Sequence, residues 1–341
     1  MEAIQKTDIN KFVEAVCAID PKPFRQKQLV EWLYCKGASS FDEMSNVPKS
    51  LKDGLKGEFS CVPSKIVSSK GSADGSCKHL IELCDGQTIE CVAILAKGHK
   101  DKLTACVSSQ VGCTMGCCFC ATGKLGFVRN LGFGEIVEQV MLIEREHDKK
   151  VSNIVVMGQG EPFLNYDNVI IALDILNTFK PYEIGARKIS ISSCGIISGI
   201  ERFSTLNKQY RLAISLHSAD QDTRNVLMPG LRKQNLKSLR KALLKYQEAT
   251  GRRISIEYIM IKDINDTEKQ LDALYEFLMG IKAHINLIPY NKVKGVDFKP
   301  STRETLSNWE NFFKSAGIGI NIRESKGAEV FGACGQLANK A

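Results

Sequence analysis

The chain has 341 residues, 43% hydrophobic, 25% charged and 7% aromatic, a globular composition that excludes a disordered, collagen-like or fibrous polymer. No apolar run approaches the ~18–20 residues of a bilayer span, and the stretch Met1–Asn10 lacks the apolar core of a secretory signal, so a cytoplasmic protein with no membrane partner is expected. The net charge of +8 is uneven: residues 1–60 carry nine basic and nine acidic side chains, and most of the excess falls after residue 110, which points to a polyanionic partner such as nucleic acid.

Residues 1–56 read as short helices. Asp8 is placed to cap a helix through Phe12, Val13 and Val16. Leu29, Val30, Leu33 and Tyr34 recur at helical spacing. Ser40 with Glu43, and Pro48 ahead of Leu51 and Leu55, are further start signals. This segment is expected to be a helical accessory domain and a candidate for RNA binding. Residues 57–100 alternate and carry Gly-rich turns, which predicts a small antiparallel extension with strands near 78–84 and 88–95. From 101 to 341 strands alternate with helices. Strands are predicted at 103–107, 153–158, 187–192, 210–215, 254–260 and 284–289. Helices are predicted at 132–147, 165–178, 235–248, 267–279 and 302–316. Six βα units give an α/β fold with a parallel sheet, either open and doubly wound or a partial barrel. In both, ligands sit at the C-terminal ends of the strands.

The chain has thirteen cysteines. Without a secretory signal they read as metal-binding, catalytic or simply buried, rather than as a disulfide framework. Cys113, Cys117 and Cys120 form C-x3-C-x2-C in Cys113-Thr-Met-Gly-Cys117-Cys118-Phe119-Cys120. Three thiolates hold three irons of a cubane cluster and leave the fourth open to chelate a small molecule. A structural zinc site needs four ligands, and no nearby histidine supplies one. The spacing, with Phe119 before the last cysteine, matches the signature of radical S-adenosylmethionine (SAM) enzymes. Polar or small residues recur at strand ends: Gly160 and Glu161, Ser192, Ser215-Leu216-His217 and Asn291. Each alone fits a turn; together they suggest a ligand site. Taken alone, Cys334 reads as a packed cysteine in a C-terminal turn, and Glu90 as a strand-surface charge.

The chain resembles the RlmN/Cfr family of radical SAM RNA methyltransferases. The resemblance rests on Cys106-Val-Ser-Ser-Gln-Val-Gly-Cys113, Cys117-Cys118-Phe119-Cys120-Ala-Thr-Gly, Gly126-Phe-Val-Arg-Asn-Leu131, Gly160-Glu-Pro-Phe-Leu-Asn165, Leu212-Ala-Ile-Ser-Leu-His217, Ile256-Glu257-Tyr-Ile-Met260, Ile285-Asn-Leu-Ile-Pro-Tyr-Asn291 and Ala333-Cys-Gly-Gln-Leu337. It implies a partial (β/α)6 radical SAM barrel over 101–341, ending in a segment that carries a catalytic cysteine. It assigns a [4Fe-4S] cluster to Cys113, Cys117 and Cys120. SAM contacts fall to Gly160, Glu161, Ser192, Ser215, Leu216, His217 and Asn291. Cys334 becomes S-methylated, Cys106 closes a transient disulfide with it, and Glu90 takes the proton from carbon 2 of adenine. Two SAM molecules are used per turnover. The implied substrates are 23S ribosomal RNA near the peptidyl-transferase centre and adenosines beside the anticodon of some tRNAs. An external, flavodoxin-like electron donor and a monomeric protein are implied too. Gln159 departs from the family's usual methionine, and the approach to Cys334 is less acidic than usual. The competing readings are a Cfr-type methyltransferase acting on carbon 8, a non-catalytic iron–sulfur redox or ribosome-binding protein, and a radical SAM enzyme acting on a small molecule.

Overall fold

The computed structural model describes residues 2–96, 99–323 and 325–339; Met1, Lys340 and Ala341, at the ends of the expected segments, lie outside it. The N-terminal segment runs through β1 (Glu2–Ala3), α1 (Ile9–Ile19), α2 (Phe24–Val30), α3 (Lys49–Glu58) and β2 (Phe59–Ser60). Asp8 caps α1 by accepting a hydrogen bond from the Asn10 N–H at 2.8 Å. Ser40 caps a short 3-10 turn, Phe41–Glu43, rather than an α-helix. The apolar stripe of these helices, Phe12, Val16, Leu29, Leu33, Leu51 and Leu55, is buried. Phe12 and Tyr34 each meet the ring of Phe133 edge-on at 5.5 Å.

An antiparallel meander follows: β3 (Lys65–Gly71), β4 (Cys77–Glu82), β5 (Thr88–Ala96) and β6 (His99–Val107). A separate ribbon, β7 (Gln110–Gly112) with β8 (Phe127–Asn130), brackets the cysteine loop and α4 (Ala121–Leu125). The chain then alternates: α5 (Phe133–His147), β9 (Val151–Val156), α6 (Tyr166–Thr178), β10 (Ile189–Ser193), α7 (Ile197–Ser204), β11 (Arg211–Ser215), α8 (Gln221–Leu227), α9 (Leu236–Thr250), β12 (Ile254–Met260), α10 (Glu268–Leu278), β13 (Ala283–Pro289), α11 (Arg303–Ser315) and β14 (Gly319–Ile322). Among the described residues, ten strands make one sheet in the order β14-β13-β12-β11-β10-β9-β6-β5-β4-β3. β6 and β9 to β14 are parallel, and β3 to β5 extend the sheet antiparallel.

This is the expected α/β barrel-type core with helices wrapped outside, together with the expected antiparallel extension and N-terminal helices. Helix-connected parallel strands are covered on both faces, so they read as apolar runs: β12, Ile254-Ser-Ile-Glu-Tyr-Ile-Met260, is buried at every position except Ser255. Several short elements went unanticipated, α4, β7 and β8 around the cysteine loop and three in the core. β14 has four residues, α7 eight and α8 seven, too few for a periodic signal. At the far edge β3 is largely exposed, carries Lys65 and Lys70, and is bulged between Ile66 and Ser68. No helix among the described residues is long and apolar enough to cross a membrane.

Candidate active site

The parallel strands aim their C-terminal ends at one cavity of about 160 Å³. β6 passes through Ser108-Ser109 into β7 and then into the cysteine loop, so Cys113, Cys117 and Cys120 all reach the lining. Two contacts fix the base of that loop. The Cys113 N–H donates to the Gly126 carbonyl at 2.8 Å, and the Cys120 N–H donates to the Cys117 carbonyl at 3.1 Å. Burial pushes the Cys113 thiol up to about 11, and those of Cys117 and Cys120 upward too. Three crowded thiols in a desolvated loop disfavour free thiolates; a cationic iron cluster stabilises them. Cys118 lies outside this lining.

After β9 the chain turns through Gly158-Gln-Gly160-Glu161. Gly160 has φ of +103°, and a Cβ there would lie 2.6 Å from the Gln110 Cβ, so both backbone angle and space require glycine. The Glu161 carboxylate is 3% exposed. It accepts hydrogen bonds from the Phe163 N–H at 3.0 Å and the Cys194 N–H at 2.7 Å. Burial nevertheless raises its proton affinity. An additional cationic donor would offset that burial, as an ammonium group does. Ser192 and Ser215, at the ends of β10 and β11, meet at 3.1 Å between their hydroxyls. His217 follows with φ of +59°. Its Nδ1 accepts from the Ile259 N–H at 3.1 Å, and Phe119 packs edge-on to its ring at 4.9 Å. Burial lowers His217 to about 3. At neutral pH it is therefore an uncharged imidazole with its proton on Nε2.

The structure gathers Gly160, Glu161, Ser192, Ser215 and His217 around the cavity, but not every expected contact. The Leu216 side chain is fully buried in the core, and its N–H donates to the Glu257 carbonyl at 3.1 Å. The Asn291 amide donates to the Cys334 carbonyl at 3.2 Å. Neither residue lines the cavity; Asn291 instead positions the C-terminal segment.

That segment crosses the mouth of the barrel and brings Cys334 into the lining. Thr122 Oγ1 donates to the Leu337 carbonyl at 2.8 Å, and the Ala121 N–H donates to the Gly335 carbonyl at 2.7 Å. The tail is thus tied to the residues directly after Cys120. A second cavity of about 90 Å³ is lined by both Cys334 and Cys106. Burial and the neighbouring Cys334 push the Cys106 thiol up to about 12. Cys334 as a residue is exposed, but the protein crowded around its sulfur raises the thiol as well, while Arg323 pulls it down. Arg323 lines both cavities and holds the buried Glu257 carboxylate at 3.5 Å. Sequence reading missed Arg323 because it follows β14, the short strand that gave no periodic signal.

Glu90 is fully buried on β5 and lines neither cavity. One carboxylate oxygen pairs with Lys78 Nζ at 2.7 Å, and the other accepts from the Ala338 N–H at 2.7 Å. Gln159 joins the same network. Its Oε1 accepts from the Glu90 N–H at 3.0 Å, and its Nε2 donates to Asn339 Oδ1 at 2.7 Å. The departure from methionine at 159 therefore has a structural use: an amide ties the Glu90 strand to the tail, which a thioether cannot do.

Residues 107–278 match the family model of the radical SAM superfamily. The protein is therefore of the radical SAM class, whose members carry a [4Fe-4S] cluster and bind SAM, and the donor set described above suits both. Residues 4–61 match the model described as the ribosomal RNA large subunit methyltransferase N-terminal domain. The chain is 40% identical to a protein of Bacillus pumilus across 100% of its own length and 94% of the relative's. It is 39% identical to one of Thermotoga neapolitana across 100% and 98%. Both relatives are named "Probable dual-specificity RNA methyltransferase RlmN". A crystal structure of a radical SAM methyltransferase from Sphaerobacter thermophilus superposes with a TM-score of 0.86 at 35% identity, covering all of both chains. The chain belongs to the RlmN family of radical SAM RNA methyltransferases.

Proposed function

We propose that the protein methylates carbon 2 of an adenosine in 23S ribosomal RNA near the peptidyl-transferase centre, and of an adenosine beside the anticodon in some tRNAs. The observation that carries this reading is the position of Cys334. It lines the cavity of the three cluster thiols and, on its other side, the cavity of Cys106. When bound, the cluster and two SAM molecules supply a methyl group and the one-electron chemistry that activates a carbon acid–base catalysis cannot reach.

The chain's own residues do the rest. Cys113, Cys117 and Cys120 hold the cluster. Glu161, Ser192, Ser215 and His217 orient SAM. Cys334, as its thiolate, accepts the methyl group: its thiol proton is lost, a sulfur–carbon bond forms, and the methyl–sulfonium bond of the bound SAM would break, with the neutral thioether leaving. The S-methyl group loses one hydrogen atom to the one-electron chemistry that bound SAM would supply, its carbon is joined to adenine carbon 2 while still attached to Cys334, and the electron left on the adduct would return to the cluster. Glu90 accepts the proton leaving carbon 2, which requires the Ala338 N–H to release its carboxylate. Cys106, having lost its thiol proton, attacks the Cys334 sulfur; the sulfur–carbon bond breaks with its electron pair going to carbon, that carbon takes up a proton to become the methyl group, the methylated base leaves, and a Cys106–Cys334 disulfide forms. External thiols reduce that disulfide before the next cycle. A flavodoxin-like donor supplies electrons, and the working form is a cytoplasmic monomer.

The test is the mass of the peptide containing Cys334, from protein isolated anaerobically with its cluster and given excess SAM. A methyl-sized addition mapped to Cys334 is expected. An unmodified Cys334 overturns the mechanism, and a modified nucleoside carrying its methyl on carbon 8 overturns the assigned position.

A further inference from the structure

On the opposite face of the antiparallel extension lies a second group of metal-ligating side chains. Cys77 and His79 are two residues apart on β4, so both point to the same face. His147 is the last residue of α5, which packs on β6 of the same sheet. His79 Nε2 and His147 Nε2 are 3.0 Å apart, with the rings inclined at 75°. The Cys77 sulfur lies 4.0 Å from the His79 ring. One donor atom from each of the three residues falls within 4.8 Å of the other two. We propose that Cys77, His79 and His147 form a zinc site, separate from the cluster loop, that clamps the end of α5 to the extension.

The hydrogen-bond polarity around His79 supports this. Ser69, opposite His79 in the β3–β4 register, has its hydroxyl 2.9 Å from His79 Nδ1 and 3.3 Å from Glu146 Oε1. An ionised carboxylate only accepts hydrogen bonds, so the Ser69 hydroxyl donates to Glu146. Its oxygen then accepts from His79 Nδ1–H. The proton of the neutral ring is fixed on Nδ1, and Nε2 presents a lone pair toward His147. A carboxylate-linked hydrogen bond to the far nitrogen is the arrangement that orients a metal-bound imidazole.

Two imidazoles and one thiolate are the donors of a borderline-soft divalent ion, zinc above all. Tetrahedral zinc, with metal–nitrogen bonds of ~2.0–2.1 Å, places two ligand nitrogens ~3.3 Å apart. The observed 3.0 Å needs only a small relaxation. Three protein ligands leave a fourth position for water, so this is an open site and not the closed four-ligand kind required of a purely structural zinc. Cys77 and His147 are half-buried, so the ion has a route from solvent. Binding replaces the Cys77 thiol proton, which passes to water. Lys78 and Glu90 point to the other face of the same strands, so the clamp would sit behind the strand that carries Glu90.

The experiment uses cluster-loaded protein, so that the cysteine loop is already occupied. It is incubated with zinc sulfate, desalted, and analysed for zinc and iron by mass spectrometry. Wild type is expected to keep about one zinc per chain, whereas His147→Ala and Cys77→Ser lose it at unchanged iron content and circular dichroism. Zinc X-ray absorption on wild type should show one sulfur and two imidazole nitrogens, and zinc should raise the thermal midpoint of wild type but not of His147→Ala. Either of two results overturns the site: no retained zinc in wild type, which reduces the pair to a histidine–histidine hydrogen bond, or zinc kept at the wild-type level in the variants, which places the ion elsewhere.

Discussion

Arg323 is the charged side chain that most directly conditions Cys334. A methyl acceptor must be a thiolate. The protein crowded around its sulfur raises the Cys334 thiol above its ordinary value and Arg323 opposes that rise, so at neutral pH the reactive form is a minority that grows with pH. Arg323→Met should slow Cys334 methylation several-fold at pH 7. In wild type and variant alike the thiol is mostly protonated from pH 7 to 9, so the deficit should hold across that range and close only as the pH passes the Cys334 value, and Arg323→Lys should restore the rate. The time course of the Cys334 peptide mass at each pH reads this directly; a deficit that persists once the thiol is ionised would assign Arg323 to packing alone. The cluster cysteines were legible in the sequence because their geometry is local, three thiols within eight residues. The surroundings of Glu90 were not. Its partner Ala338 is 248 residues away, and nothing in a strand-surface pattern marks a carboxylate that a distant tail will bury.

Helix α5 carries a buried carboxylate of a different kind. Glu138 accepts two hydrogen bonds from Ser64, from the hydroxyl at 2.6 Å and the N–H at 3.2 Å. Burial raises its pKa to about 7. In the unfolded chain a glutamate ionises near pH 4.3, so between there and pH 7 the folded state holds the extra proton. Stability must then fall as pH rises through that window, by up to about 4 kcal/mol from this group, and level off above it. Glu138→Gln, which keeps an acceptor for Ser64, should remove that slope. Urea midpoints between pH 4.5 and 8 measure it, and an unchanged slope would show that Glu138 is ionised in the fold. The helix itself was readable from its apolar spacing, predicted at 132–147 and found at Phe133–His147. The tight seat of the N-terminal segment on it was not. A Cβ at Gly134 would lie 2.1 Å from the Tyr34 hydroxyl, and a sequence holds no record of which glycine faces which ring.

At the scale of the whole molecule, two basic surfaces compete as the approach for RNA: helix α9, which carries Lys237, Arg240, Lys241 and Lys245, and a third cavity, which we propose as the approach. α9 buries Leu236, Leu239, Leu243 and Tyr246 as its spacing predicts. Its Arg240, however, donates to the Phe277 carbonyl at 3.0 Å and to the Met279 carbonyl, which uses it to finish α10. The third cavity, about 440 Å³, lies beside the tail and is lined by Lys70, Lys78, Lys124, Lys292 and Lys294, with Phe331 on its rim. Phe331 is 55% exposed, a flat apolar surface of the sort on which unpaired bases stack. Reversing charge at Lys292 and Lys294 should weaken RNA binding and lower the slope of log affinity against log salt by about 0.7 per lost phosphate contact. The same change at Lys237 and Lys241 should do less, and equal effects would place α9 in the interface as well. The open sheet has a consequence at this scale too. A ten-stranded sheet that does not close presents two edges, each a template on which a stray strand could lengthen it. Here one edge is the four-residue β14, and the other is β3 with its kink and its pair of lysines. Chains crowded together thus meet a short edge or a bent, charged one, and growth into fibres is blocked at both margins.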